Sequence, residues 1–134
     1  MSRRLSLRND RGQTMVEFAL VIPILCVVLF GVIQFGIVYK NYVTLTDATR
    51  VGARKAATSR HEPFPVGPVG VTVAKVKSSA SGLDPAKLDV VVTPAPWAHG
   101  DDVTVTAKYP YSVSLLGFVV AAGDLESKTT ERVE

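Results

Sequence analysis

Cysteine is nearly missing from this 134-residue chain: Cys26 is the single one, so no internal disulfide framework can staple the fold. Lying inside an apolar run, Cys26 reads as a small buried hydrophobe. Histidine is almost as scarce. His61 and His99 are isolated, no Ser/His/Asp or Cys/His set surrounds them, and no glycine-rich phosphate loop is present. These absences argue against an enzyme and against any cofactor. The run His99-Gly100-Asp101-Asp102 offers too few ligands for a metal and reads as a solvated turn. Internal repeats and low-complexity tracts are also absent.

Charge is present but unevenly placed. Residues 1–12 carry four Arg against one Asp, residues 13–60 five basic against two acidic residues, and residues 61–134 six basic against nine acidic. The excess of positive charge therefore flanks a hydrophobic segment while the distal part is acidic. That distribution suits phospholipid headgroups and argues against nucleic acid as a partner.

From Met15 to Tyr39 the chain reads MVEFALVIPILCVVLFGVIQFGIVY, with Glu17 and Gln34 as its strongly polar members and none between Phe18 and Ile33. About 20 apolar residues suffice to cross a bilayer core. Lipid supplies no hydrogen-bond partners, so the backbone here must be helical. Tyr39 and Tyr42 fall where an interfacial aromatic belt is expected. Pro23 removes a hydrogen bond to the Ala19 carbonyl and predicts a kink or loosened turn, either an ordinary membrane-helix proline or a weak point that melts on assembly.

Helical spacing continues beyond Tyr39 through Leu45, Ala48, Gly52 and Ala56 until Glu62-Pro63 breaks it. A helix from Gln13 to Thr58 would be roughly 70 Å long at about 1.5 Å per residue, twice the hydrocarbon thickness. The Ala48/Gly52/Ala56 ladder permits close helix–helix approach, or packing against the chain's own head. After the Pro- and Gly-rich hinge at 63–70, a short helix is favoured between Pro68 and Gly82, although the alternation of Val69, Val71 and Val73 suits a strand equally well. Strands are expected at Lys87–Thr93 and Val103–Tyr111, joined by the turn-rich PAPWAHGDD, with a polar third strand at Leu125–Val133 suited to a sheet edge. The apolar stretch at 114–123 is too short to span a membrane as a helix and is either a core element or a contact surface. The organisation predicted is α+β: a basic leader (1–12), a transmembrane helix (13–40), an amphipathic stalk helix (41–62) and a small head (63–134) of one short helix and about three antiparallel strands. A head of this size buries only about 60% of its chain surface, so its core needs support from the stalk.

The most informative stretch is Arg11-Gly12-Gln13-Thr14-Met15-Val16-Glu17-Phe18, where a basic leader ends in glycine and one carboxylate interrupts the start of an apolar helix. By itself Glu17 is explained by the helix dipole and by snorkelling to headgroups. The arrangement as a whole resembles a type IV prepilin signal. Together with VEFALVIPIL, LFGVIQFGIVY and TDATRVGARKAA, it resembles the TadE-like family of the tight-adherence system. The resemblance implies cleavage between Gly12 and Gln13 by a prepilin peptidase. It further implies docking of Gln13's new amine on a neighbour's Glu17 beside Phe18. The partners implied are the lipid bilayer, other pilin and pseudopilin subunits and the pilus assembly machinery. The implied location is the inner or cytoplasmic membrane, single-pass, with the head outside the cytoplasm or incorporated in a pilus. Orientation rests on this resemblance, because Lys40, Arg50, Arg54 and Lys55 balance Arg3, Arg4, Arg8 and Arg11 across the span. The rival reading is an unprocessed single-pass anchor bearing an interaction head. A twin-arginine signal at Ser2–Arg8 is disfavoured by the long apolar run, by Glu17 and by the lack of a small-residue cleavage site after Tyr39.

Overall fold

The computed structural model describes residues 10–63, 65–94, 97–115 and 117–134. The leader residues 1–9 and part of the turn at 94–102 lie outside these. The architecture is α+β, with α1 (Asp10–Thr58), α2 (Gly67–Ser79), β1 (Asp89–Thr93), β2 (Asp102–Leu115) and β3 (Phe118–Arg132) in chain order. The strands form one antiparallel sheet in the order β1-β2-β3.

The 49 residues of α1 make a helix about 73 Å long at ~1.5 Å per residue. It begins three residues before Gln13 and is one helix through Pro23. Its two halves differ in surroundings. From Gly12 to Thr44 no residue is buried, and large apolar side chains such as Phe18, Leu20, Ile24 and Phe35 stand outward. From Leu45 onward one face is buried: Leu45, Ala48, Thr49, Gly52, Ala53, Ala56 and Ala57 recur at three- and four-residue spacing.

That face is the floor of the head. Val103, Val105 and Ala107 alternate inward along β2, while Thr104, Thr106 and Lys108 turn away from the core. Val76 of α2, Leu83, Leu88, Val92, Trp97 and Val133 complete the same cluster. Buried hydroxyls do not burden it, because Thr49 donates to the Leu45 carbonyl at 2.7 Å and Ser59 to the Ala56 carbonyl at 3.1 Å. The C-terminus locks onto the helix end: Glu134 N–H donates to the Ala57 carbonyl at 3.1 Å. Lys55 and Glu62, 2.7 Å apart and half-buried, tie the last helical turn to the loop that follows.

Two expectations take a more definite form. The segment 41–62 is a bare stalk only as far as Thr44. From Leu45 it is the central helix of the head, because residues 63–134 alone lack the apolar surface to close a core. The strands are also longer than expected: β2 and β3 extend through the apolar stretch 114–123 to the connection that joins them, in which Gly117 takes φ +89°. That stretch forms the end of a hairpin arm, with Phe118, Val119 and Val120 exposed, and so is surface and not core.

Gly52 is where helix and head come closest. A Cβ there would collide with Cγ2 of Val76 and stand 3.8 Å from Val105. Gly52→Ala should therefore destabilise by about 1–3 kcal/mol despite alanine's better helix propensity. In a double-mutant cycle with Val76→Ala the two losses should be clearly less than additive, read from thermal unfolding in detergent. Simple additivity would contradict the contact.

Candidate functional site

An α-helix places residues i and i+4 on one face, and that geometry builds the N-terminal site. Gln13 Nε2 donates to Glu17 Oε1 at 3.1 Å, with both residues exposed on the first turns of α1. Phe18 and Ile22, one turn apart, join Met15 and Ala19 around a shallow apolar notch beside this pair. Gly12 precedes it on the same helix and is exposed. The structure thus brings Gly12, Gln13, Glu17 and Phe18 together at one end of the bare half of α1. Pro23 lies further along the same exposed stretch.

Between Phe18 and Val43 the helix presents a largely apolar surface in which no residue is buried. It is long and apolar enough to cross a membrane, and its most apolar stretch is wholly unburied. Toward its far end Phe35 and Tyr39 stack with ring centroids 6.3 Å apart, adding an aromatic pair at the level expected for an interface.

Ala48, Gly52 and Ala56 are placed elsewhere. Of the two uses open to this ladder, the structure has the internal one: Ala48 and Ala56 are 1% and 0% exposed, and Gly52 meets Val76. These residues hold the head and offer no surface to another chain. At the opposite end, Asp101 Oδ2 accepts from Ala98 N–H at 2.8 Å, and Arg132 Nε donates to the Gly100 carbonyl at 3.0 Å. Asp101 thus closes the turn on itself, and Gly100 ties it to β3 through Arg132.

The match of residues 12–54 to the family model for TadE-like proteins coincides with this helix, from the glycine before Gln13 to the stretch buried in the head. That segment is similar to TadE-like proteins. It contains Gly12, Gln13, Glu17, Phe18, Pro23, Ala48 and Gly52, and stops short of Ala56 and of the sheet. No curated protein and no solved structure matches the chain. The TadE-like helix therefore carries the relationship, while the rest of the head is described by its own geometry.

The tip of the β2–β3 arm carries no recognisable motif, and sequence alone does not separate it from a core element. Its signal is compositional: residues 109–123 contain no charged side chain, between Lys108 and Asp124.

One exposed carboxylate near the start of a long apolar run costs less than the roughly 2.5–3.5 kcal/mol that an acid costs at mid-membrane. Glu17→Gln and Glu17→Leu should consequently insert as well as the parent chain, remaining with the membrane pellet after alkaline carbonate extraction. Release of either variant would show that Glu17 is needed for insertion itself.

Proposed function

We propose that this chain is a minor pilin of a tight-adherence pilus, anchored in the inner or cytoplasmic membrane by the exposed half of α1 and carrying its head outside the cytoplasm. A prepilin peptidase removes the leader by cutting between Gly12 and Gln13. The new α-amino group of Gln13 then pairs with Glu17 of a neighbouring subunit, and Phe18 with the following apolar side chains packs around the pair. The chain performs no catalysis of its own.

The observation that carries this reading is a bare TadE-like helix whose first turns hold a carboxylate five residues beyond a glycine. An apolar helix with one acid at its start is costly to assemble laterally unless the acid finds a counter-charge at the same depth. In low dielectric such a pair fixes axial register, the best-attested use of buried polar groups. Within one chain, Gln13 already occupies Oε1 of Glu17. The incoming amine would meet Oε2. Pro23, ten residues after Gln13, removes one helical hydrogen bond and is the natural place for α1 to loosen as subunits slide into register.

The mature mass tests processing. In a host with an active prepilin peptidase, membrane-extracted protein should lack residues 1–12, and deletion of the peptidase should restore them. A full-length mass in both strains would leave an unprocessed anchor with an interaction head. Glu17→Leu, inserted and processed, should then fail to enter pili, because removal of one partner of a buried pair costs about 3–5 kcal/mol. Pilus incorporation at the parental level would remove the docking role.

A further inference from the structure

The β2–β3 arm outruns the core that it belongs to. Its last ion pair among the described residues is Lys108–Glu126, at 3.4 Å. Beyond that pair the two strands stay in register to Leu115 and Phe118, with one irregularity at Val113/Ser114. At the tip Phe118, Val119 and Val120 are 77%, 65% and 60% exposed. An apolar, uncharged hairpin end held out from a protein by its own ladder calls for an apolar surrounding.

Its direction is fixed where the far end of β3 meets α1. Glu134, just after β3, bonds Ala57. Thr129 and Glu131 line a shallow cavity with Asp47, Arg50, Val51 and Arg54. Further back, Tyr109, paired with Leu125, has its hydroxyl 3.3 Å from the Asp84 N–H, so the base of the arm is held by the loop after α2. Going back along β3, the matching positions on α1 thus fall from 57 to about 50. The arm points toward the apolar half of the helix. From Thr129–Glu131 back to Phe118 the strand adds about 40 Å at ~3.3 Å per residue, ample to cover the roughly 12–17 Å along α1 that separate the level of residue 50 from that of Tyr42 and Tyr39. The tip therefore reaches the level of Tyr39 and Tyr42 or beyond it.

We infer that the tip of the β2–β3 hairpin inserts into the headgroup–acyl boundary of the same bilayer that α1 crosses, giving the head a second, interfacial anchor. The inference rests on α1 spanning a membrane and is independent of leader processing. Lipid is the occupant because the tip continues the membrane face of α1 at the same depth and carries no charge. Two tyrosines also stand at its base, where interfacial aromatics belong. Tyr111 lies across Gly123, with its Cε1 3.2 Å from where a Cβ would be, so its ring covers the glycine of the paired strand. Both strands of the tip keep open edges, and unpaired backbone groups do not enter hydrocarbon, so insertion stops at the boundary.

The full chain, reconstituted at one copy per phosphatidylcholine/phosphatidylglycerol nanodisc, provides the test. An environment-sensitive fluorophore is attached to native Cys26, or in a Cys26→Ala background to Phe118→Cys, Val120→Cys or His99→Cys. Lipid-borne nitroxides near the glycerol end of the acyl chains and aqueous iodide serve as quenchers. Expected are blue-shifted emission and lipid quenching at 118 and 120, and iodide quenching at 99. Iodide quenching at both tip positions, with Cys26 shielded, overturns the interfacial anchor while leaving α1 in the membrane. Tip positions shielded from both quenchers would mean the arm folds onto protein, which equally overturns it. Iodide access to Cys26 removes the spanning helix and the inference together.

Discussion

The contact on which the rest of this structure depends is the burial of the Leu45–Ala57 face of α1 beneath the sheet and α2. Small residues there let Val76 and Val105 come within reach of the helix backbone at Gly52. Large residues would hold the sheet off and leave Val103, Val105 and Ala107 without a floor. Because the same helix continues without interruption into the apolar half, this contact also fixes the head to the anchor. The head has no flexible tether to α1. Its depth and its heading relative to a membrane are set by packing, and so the direction of the β2–β3 arm carries meaning.

Much of this was legible in the sequence because it was periodic. The apolar run from Met15 to Tyr39 admits only a helix, the alternation from Val103 to Tyr111 admits a half-buried strand, and Pro68 and Gly82 signal the start and stop of a helix observed at Gly67–Ser79, with Pro68 in its first turn. The Gln13–Glu17 contact within one chain is an i, i+4 pair that one helix through both residues permits, whereas the resemblance directed Glu17 to a neighbour. Two features were not legible, for different physical reasons. The Ala48/Gly52/Ala56 ladder permits close approach of any backbone, and nothing local says whether the partner is another chain or the same one. The partner is set by Val76 and Val105, distant in sequence and close in space. The stretch 114–123 left core and surface equally open, since apolar composition alone does not say what covers a residue. Only the register of β3 on β2 shows that these residues lie beyond the last contact with the core.

The internal use of the ladder narrows how α1 can meet other helices. Close approach requires positions without a Cβ in the way, and Ala48, Gly52 and Ala56 are spent on the head. What the apolar run keeps are Gly31 and Gly36, where an added Cβ would meet nothing within 4 Å. They lie among large apolar side chains, so they form notches in an otherwise bulky surface. Lateral packing along this half would therefore pair a bulky side chain of one helix with a glycine notch of the next. Glu17 stands well apart from both notches, near the start of the run, whereas Gly31 and Gly36 lie toward its end at Tyr39. Notches near one end and an acid at the other supply two kinds of constraint, shape and charge. Apolar contacts alone tolerate sliding by a helical turn, whereas a charge that must meet its counter-charge does not, so register in any such assembly is assigned to the acidic end and closeness to the glycines.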